Sequence, residues 1–172
     1  PWLSAFPELN VRTYVIRDGR PGVFFFSLEA ANPVAVEIAR RLFHLPYFNA
    51  RMSLNEEGEW IRYSSERTHR GAKSAEFLGR YRPTGDVYRS QRGSLEHWLT
   101  ERYCLYTLDG RGRVMRAEIH HAPWPLQKAE AKIEANTMTH PPGLSLPSAP
   151  PLLHFVRRLD VVVWPLGRVA PE

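Results

Sequence analysis

Leu42-Phe43-His44-Leu45-Pro46-Tyr47-Phe48-Asn49-Ala50-Arg51-Met52-Ser53-Leu54-Asn55-Glu56-Glu57-Gly58-Glu59 is the stretch in which one periodicity gives way to another. Up to Phe43 the apolar residues recur at helical spacing. From Phe48 they alternate, with Phe48, Ala50, Met52 and Leu54 on one side and Asn49, Arg51 and Ser53 on the other. The first pattern is that of an amphipathic helix and the second that of a strand with two unlike faces. Pro46 separates them, because its ring disfavours the α conformation at Leu45 and it carries no N–H to continue a helix. Glu56-Glu57-Gly58 then reads as a turn, and residues 60–64 as the returning strand.

Working outward, Asn32-Pro33 reads as the helix start, with Asn as N-cap and Pro at the first helical position. A wheel puts Val34, Ala35, Val36, Ile38, Ala39, Leu42 and Phe43 on one broad face, which is expected to be buried. Upstream, residues 9–16 form a strand, Asp18-Gly19-Arg20-Pro21-Gly22 a turn, and residues 23–28 an apolar run suited to a strand covered on both faces. Downstream, a strand over 74–81 ends at Pro83-Thr84-Gly85, and a second helix over 94–102 carries Leu95, Trp98 and Leu99 as its expected buried stripe. Residues 103–108 and 114–121 flank Asp109-Gly110-Arg111-Gly112, a hairpin signal. Over 129–137 the alanines and Ile133 alternate with polar residues, which favours strand over helix. A Pro/Ser-rich loop over 141–151 leads to a last strand over 153–164. About eight strands and two short helices, joined mainly by hairpins, predict an α+β fold: an antiparallel barrel or strongly curved sheet with flanking helices.

At 172 residues the chain is expected to form one domain over residues 1–172. Its abrupt apolar start at Trp2, Leu3 and Phe6, without a methionine, leads us to expect further strands upstream. The net charge of +5 is carried almost wholly by arginine, since Lys73, Lys128 and Lys132 are the only lysines. Basic and acidic residues are interleaved, as in Glu66-Arg67 and Glu101-Arg102, so no basic stripe marks a nucleic-acid partner. No apolar run reaches the ~18 residues of a membrane helix. Cys104 is the single cysteine, which excludes an internal disulfide and fits a reducing compartment, with the cytoplasm as the default.

Phosphate loops, serine elbows and cysteine pairs for zinc are absent from the sequence, so the candidates for chemistry are constellations rather than motifs. On a strand, Glu118 and His120 project from one face, and His121 joins Ala117 and Ile119 on the other. Glu118 and His120 read either as an acid–base pair or as a half-exposed polar pair at a strand end. Tyr47, Asn49 and Arg51 share one face of the strand after Pro46. That face is either a polar wall able to hold an anion or ordinary solvated decoration. Arg12 with Tyr14, on a neighbouring strand, poses the same question. His97 and Glu101 stand one helical turn apart as a surface pair, whereas Glu96 lies nearer the apolar stripe and is expected to reach inward. Cys104, in an apolar strand, reads as a buried inert thiol.

Several phrases together carry a resemblance: Pro1-Trp2-Leu3-Ser4-Ala5-Phe6-Pro7-Glu8-Leu9, Leu45-Pro46-Tyr47-Phe48-Asn49-Ala50-Arg51-Met52, Gly93-Ser94-Leu95-Glu96-His97-Trp98-Leu99, His121-Ala122-Pro123-Trp124-Pro125-Leu126-Gln127 and Leu159-Asp160-Val161-Val162-Val163-Trp164. They resemble the bacterial YqjF-like family of uncharacterised proteins over essentially the whole chain. That family is in turn similar, more distantly, to acetoacetate decarboxylase through the segment from Arg41 to Pro46 and the strand from Glu8 to Val15. The resemblance implies an acetoacetate-decarboxylase-like fold. It also implies a pocket near the junction, where the decarboxylases place an imine-forming lysine whose pKa is lowered by its surroundings. Here Tyr47 and Phe48 stand in that place, and neither can form an imine.

The expectation is therefore a protein that binds a small anionic or carbonyl-bearing molecule in a barrel pocket without lysine chemistry. Tyr47, Asn49, Arg51, Arg12, Tyr14 and Glu96 are its ligand-binding candidates and Glu118 and His120 its acid–base candidates. No metal or cofactor is implied. The expected partner is a small molecule rather than nucleic acid or a membrane, with a homo-oligomer left open. An enzyme using the Glu/His pair and a structural or oligomeric interaction domain are the alternative readings.

Overall fold

The computed structural model describes residues 6–169, so Trp2 and Leu3 lie outside the described residues. The first hairpin joins β1 (Glu8–Arg17) to β2 (Arg20–Ala30). Asp18 (φ 51°) and Gly19 (φ 70°) both take left-handed backbone at its turn. Two such residues twist a two-residue turn to match the twist of its strands. The strand therefore resumes at Arg20, ahead of Pro21 and Gly22. Gly22 is needed because β2 comes very close to its neighbour: a Cβ there would lie 2.7 Å from the Cys104 carbonyl oxygen and 2.7 Å from the Tyr106 ring.

Helix α1 (Pro33–Phe43) begins where Asn32 Oδ1 accepts from the backbone N–H groups of Val34 and Ala35. It ends at His44, which takes a left-handed conformation (φ 48°), two residues before Pro46. The helix is less covered than its wheel implies. Val36 is buried and Ala39 and Phe43 are partly so, but Val34, Ile38 and Leu42 face outward, Leu42 with 67% of its surface exposed. The short link at Leu45 and Pro46 is tied on both sides. Thr107 Oγ1 donates to the His44 carbonyl at 2.6 Å, and the Leu28 N–H donates to the Pro46 carbonyl at 3.1 Å.

The chain then runs through β3 (Tyr47–Glu57), β4 (Trp60–Arg67), β5 (Glu76–Pro83), α2 (Leu95–Thr100), β6 (Cys104–Leu108), β7 (Val114–His121) and β8 (Gln127–Asn136). Short strands β9 (His154–Phe155), β10 (Val161–Val163) and β11 (Gly167–Arg168) follow. Their order in the sheet is β10-β7-β6-β2-β3-β4-β5-β8-β9, with β1 on β2 and β11 on β7. The expected strand over 153–164 is thus two strands: β9 pairs with β8, and β10 pairs with β7. These partners lie towards opposite ends of the strand order. Six residue steps separate Phe155 from Val161, so a link of at most about 20 Å joins the two ends. The sheet is open but strongly curved.

It is also mixed rather than antiparallel, because β2 pairs in parallel with both β3 and β6. β6 meets it at Val23 and Phe24, and β3 at Leu28 to Ala30. Between them the edge of β2 is shared by neither. The β1–β2 register also slips there: Val11 faces Ser27 while Arg12 faces Phe25, leaving Phe26 opposite no β1 residue. Such a bulge bends a strand and re-aims its side chains.

Val23, Leu105 and Ala117 form the buried core on one side, with Tyr14, Phe25, Leu45 and Ile119 packed against them. On the other side, Glu29 accepts from Arg67 and from Ser27 Oγ, with the Glu29 and Arg67 side chains almost wholly out of water. Arg67 also lies 4.0 Å over the Phe48 ring. Burial pushes the Glu29 carboxyl up, and Arg67 and Ser27 pull it back. Helix α2 is shorter than its pattern implies, and Leu95 and Trp98 are exposed rather than buried. Among the described residues no helix is long and apolar enough to cross a membrane.

The β6–β7 hairpin depends on Asp109. Its Oδ1 accepts from the N–H groups of Arg111 and Arg113, each at 2.9 Å, and its Oδ2 from Arg113 Nε at 2.6 Å. Those hydrogen bonds, the Arg113 N–H first, hold the carboxyl down at about 2, against an ordinary value of 3.8. A depressed folded-state pKa contributes stability above the unfolded value and loses it as pH falls through the folded one. The Asp109→Ala variant should therefore melt below wild type at pH 7, and the gap should close between pH 4 and pH 2. Thermal melts across that range check it.

Candidate functional site

A cavity of about 480 Å³ opens where β2 divides its edge between β3 and β6. Its wall is mainly apolar. β2 contributes Val23, Phe25 and Leu28, and the end of α1 with its link contributes Phe43 and Leu45. Leu99, Leu105, Ile119, Leu159 and Val161 close the far side. The curvature of the sheet explains how β10, late in the chain, comes to cover residues from β1 and β2.

The polar groups in the wall are few. Arg102 follows α2 in the short link to β6 and is 8% exposed. Its Nη1 donates to the Glu101 carbonyl at 2.9 Å, while Nε and Nη2 are buried without a hydrogen-bond partner among the described residues. The guanidinium lies 4.4 Å from the Trp98 ring centroid and 5.7 Å from that of Tyr14. Burial lowers its pKa, and no carboxylate among the described residues pairs with it. A buried cation without a counter-charge is costly, because its desolvation is not offset by an ion pair. Arg12, also in the wall, sits 5.7 Å from the same Tyr14 ring and likewise has no acidic partner among the described residues.

His121 holds this corner in place. One ring nitrogen lies 3.2 Å from the Arg102 carbonyl, the other 2.9 Å from the Ala122 carbonyl, and the ring stacks on Tyr103 with centroids 4.7 Å apart. Each nitrogen thus faces a backbone carbonyl, and the tautomer decides which of the two receives the ring N–H; the Nε2–H form ties His121 to the Arg102 backbone. Trp124, with its indole N–H buried and without a partner among the described residues, has its ring centroid 6.0 Å from that of His121. Elsewhere in the wall Tyr47 donates to Glu8 Oε2 at 2.6 Å. The packing around Glu8 removes enough water to raise its carboxyl, although the residue keeps exposed surface and Tyr47 and Asn10 act in the opposite direction. Burial, reinforced by Glu8, raises the Tyr47 phenol.

The sequence candidates divide between this cavity and the outside. Tyr47 and Arg12 line it, and Tyr14 lies behind Arg12 and Arg102. Asn49 and Arg51 do not join Tyr47 there. Asn49 is half-buried, with its N–H on His69 Nδ1 at 3.2 Å, and Arg51 is exposed and paired with Glu66 at 2.5 Å. Glu118 and His120 project from the outer face of β7, where Glu118 pairs with Arg20 at 3.1 Å and Arg116 at 3.0 Å. The inward face of that strand is the one carrying Ala117, Ile119 and His121. Glu96 lies outside the cavity, 4.0 Å from His154, its carboxyl lowered by hydrogen bonds from its own backbone and Ser94. Arg102, Glu8, His121 and Trp124 are among the polar wall residues that sequence reasoning did not single out as candidates. None of the chain's three lysines lines the cavity.

A family model described as an uncharacterized conserved protein, DUF2071, matches residues 1–160. The chain belongs to the DUF2071 family. A DUF2071 relative, the uncharacterized protein YqjF of Bacillus subtilis, is 48% identical over 168 residues, covering 98% of this chain and 68% of that protein. Among solved structures, this DUF2071 chain is similar to acetoacetate decarboxylase from Legionella pneumophila. That likeness has a TM-score of 0.59 and 12% identity, over 96% of this chain and 67% of that one. A second acetoacetate decarboxylase structure matches with a TM-score of 0.53 and 10% identity, over 95% and 68% of the two chains. At these identities the likeness establishes the fold: acetoacetate-decarboxylase-like, α+β, with two helices on a large mixed sheet that does not close into a barrel.

The burial of Arg102 away from any carboxylate among the described residues has a direct consequence for stability. Replacing a buried charge that lacks a counter-ion by an apolar group of similar length removes a desolvation cost. The Arg102→Met variant should therefore melt no lower than wild type in the absence of ligand, as read by thermal denaturation. A marked fall in melting temperature would mean that Arg102 serves chiefly as a structural pillar.

Proposed function

We propose that the cavity binds a small organic anion with an apolar body, and that Arg102 is its electrostatic anchor, with Arg12 contributing. The observation that carries this reading is the buried guanidinium without a counter-charge in the wall of an otherwise apolar cavity. A carboxylate entering the cavity supplies that charge in a low-dielectric setting, where the attraction is stronger than in water. The apolar wall receives the body of the same molecule, and the size of the cavity is within the range usual for small ligands. The proteins that share the fold are named for acetoacetate, itself a small carboxylate. Imine chemistry of the kind implied by that resemblance has no amine here, since Lys73, Lys128 and Lys132 all lie away from the wall. The reading is therefore of binding, in a protein that works in a reducing compartment such as the cytoplasm. Any catalysis would have to use groups other than lysine.

A thermal-shift comparison of hexanoate, phenylacetate and their neutral amides tests this. At a ligand concentration one hundred times Kd, binding adds about 2.7 kcal/mol of stability. The acids are expected to raise the melting temperature and the amides to do so far less. Arg102→Met should abolish the shift, and Arg102→Lys should restore it poorly, because an ammonium does not reproduce the guanidinium's planar fork. Arg51→Ala, on the exterior, should behave as wild type. Equal shifts from acids and amides, or an undiminished shift in Arg102→Met, would overturn the proposal.

A further inference from the structure

The cavity contains separated charges of both signs. Arg102 and Arg12 gather beside Tyr14, which faces Val23 across the β1–β2 ladder. Glu8 faces Ala30 at the other end of the same ladder, and Tyr47 faces Leu28. Six residue steps of β1 separate Glu8 from Tyr14, about 20 Å of strand at ~3.3 Å per residue, a span that side chains reaching in from both ends shorten. Neither arginine pairs with Glu8 within ion-pair distance, and no cation among the described residues does so either.

The Glu8 end is also an acceptor end. Tyr47 gives its only hydroxyl proton to Glu8 Oε2, so what this pair offers the cavity is the lone pairs of the phenol and of the carboxylate. Asn10, in the same wall, acts with Tyr47 to favour the charged, accepting form of the carboxyl against the effect of burial. An anion anchored at Arg102 would meet repulsion here if its far end were another acceptor, and gain nothing if that end were a methyl group. A donor would be satisfied.

Resting on the anion-binding reading of the same cavity, we infer that the ligand is dipolar: its carboxylate is held at Arg102, and a hydrogen-bond donor at its other end, a protonated amine or a hydroxyl, is received by Glu8 and Tyr47. The apolar wall between the poles takes the connecting segment. Specificity then comes from the Glu8–Tyr47 pair, whereas affinity for acids in general comes from Arg102. A hydrogen bond to a charged group contributes enough to tighten binding about tenfold or more.

Isothermal titration calorimetry on the full chain decides this with three matched pairs: butanoate and 4-aminobutanoate, hexanoate and 6-aminohexanoate, octanoate and 8-aminooctanoate. For at least one length the amino acid is expected to bind about tenfold tighter than its parent acid, with the corresponding hydroxy acid between them. The measured ratio should fall towards one in Glu8→Gln and in Tyr47→Phe, two variants that keep side-chain size. Parent acids that bind wild type as tightly as their amino partners at every length would overturn the dipolar ligand while leaving the anion site standing. A ratio undiminished in both variants would also overturn it. Absence of binding by any of the acids would remove the anion site itself and this inference with it.

Discussion

The cavity exists because one strand divides an edge between two parallel neighbours. β2 is covered along one side by β1, and on the other it meets β6 near Val23 and β3 near Leu28. Neither neighbour can continue into the other's place, so the two halves of the sheet diverge across Phe25, Phe26 and Ser27. The bulge at Phe26 turns the strand at the same point. Gly22 lets β6 approach closely on one side of the divide, and the hydrogen bond from the Leu28 N–H to the Pro46 carbonyl fixes β3 on the other. The curvature that brings β10 over the opening follows from the short link between β9 and β10. A continuous antiparallel sheet through the same residues would have filled this space with strand.

The charges in the wall are set by the same geometry. Arg102 enters the interior because it lies in the link between α2 and β6, held there by the contact of its carbonyl with His121. Once inside, its partners are aromatic rings and one backbone carbonyl, which satisfy shape better than charge. Glu29 and Arg67, on the other face of β2, are a useful contrast: there a buried guanidinium and a buried carboxylate meet directly, with Ser27 completing the set. One buried arginine thus has its counter-charge supplied by the fold and the other does not. A structural role is sufficient for the first. The second is better explained by an occupant.

Local chemistry was legible in the sequence and non-local placement was not. Asp18-Gly19, Gly58 and Asp109-Gly110 mark turns by backbone preference alone, and Asn32-Pro33 marks the start of α1 by capping. Alternation likewise separated Glu118 and His120 from Ala117, Ile119 and His121. It has no means of saying which of two faces is inward, and here the interior takes the face with His121. The parallel pairings of β2 join segments distant in the chain, and no turn signal announces them. The break over 156–160 looks like continuous strand because its composition is that of an edge strand. Arg102 follows Glu101, so it reads as half of a surface pair. Its neighbours Trp98, Tyr103, Cys104 and Leu105 were the available signal, since an arginine leading into a buried strand is unusually placed.

The central claim is that the Arg102 guanidinium awaits an anion. The most direct measurement is the ¹⁵N resonance of its Nε–H, assigned by comparison with Arg102→Met and followed as hexanoate is added to the isotopically labelled protein. The account requires a saturable shift of that resonance, absent when hexanamide replaces hexanoate and unaccompanied by a comparable shift at Arg51. An Arg102 resonance unmoved while hexanoate demonstrably binds would contradict it.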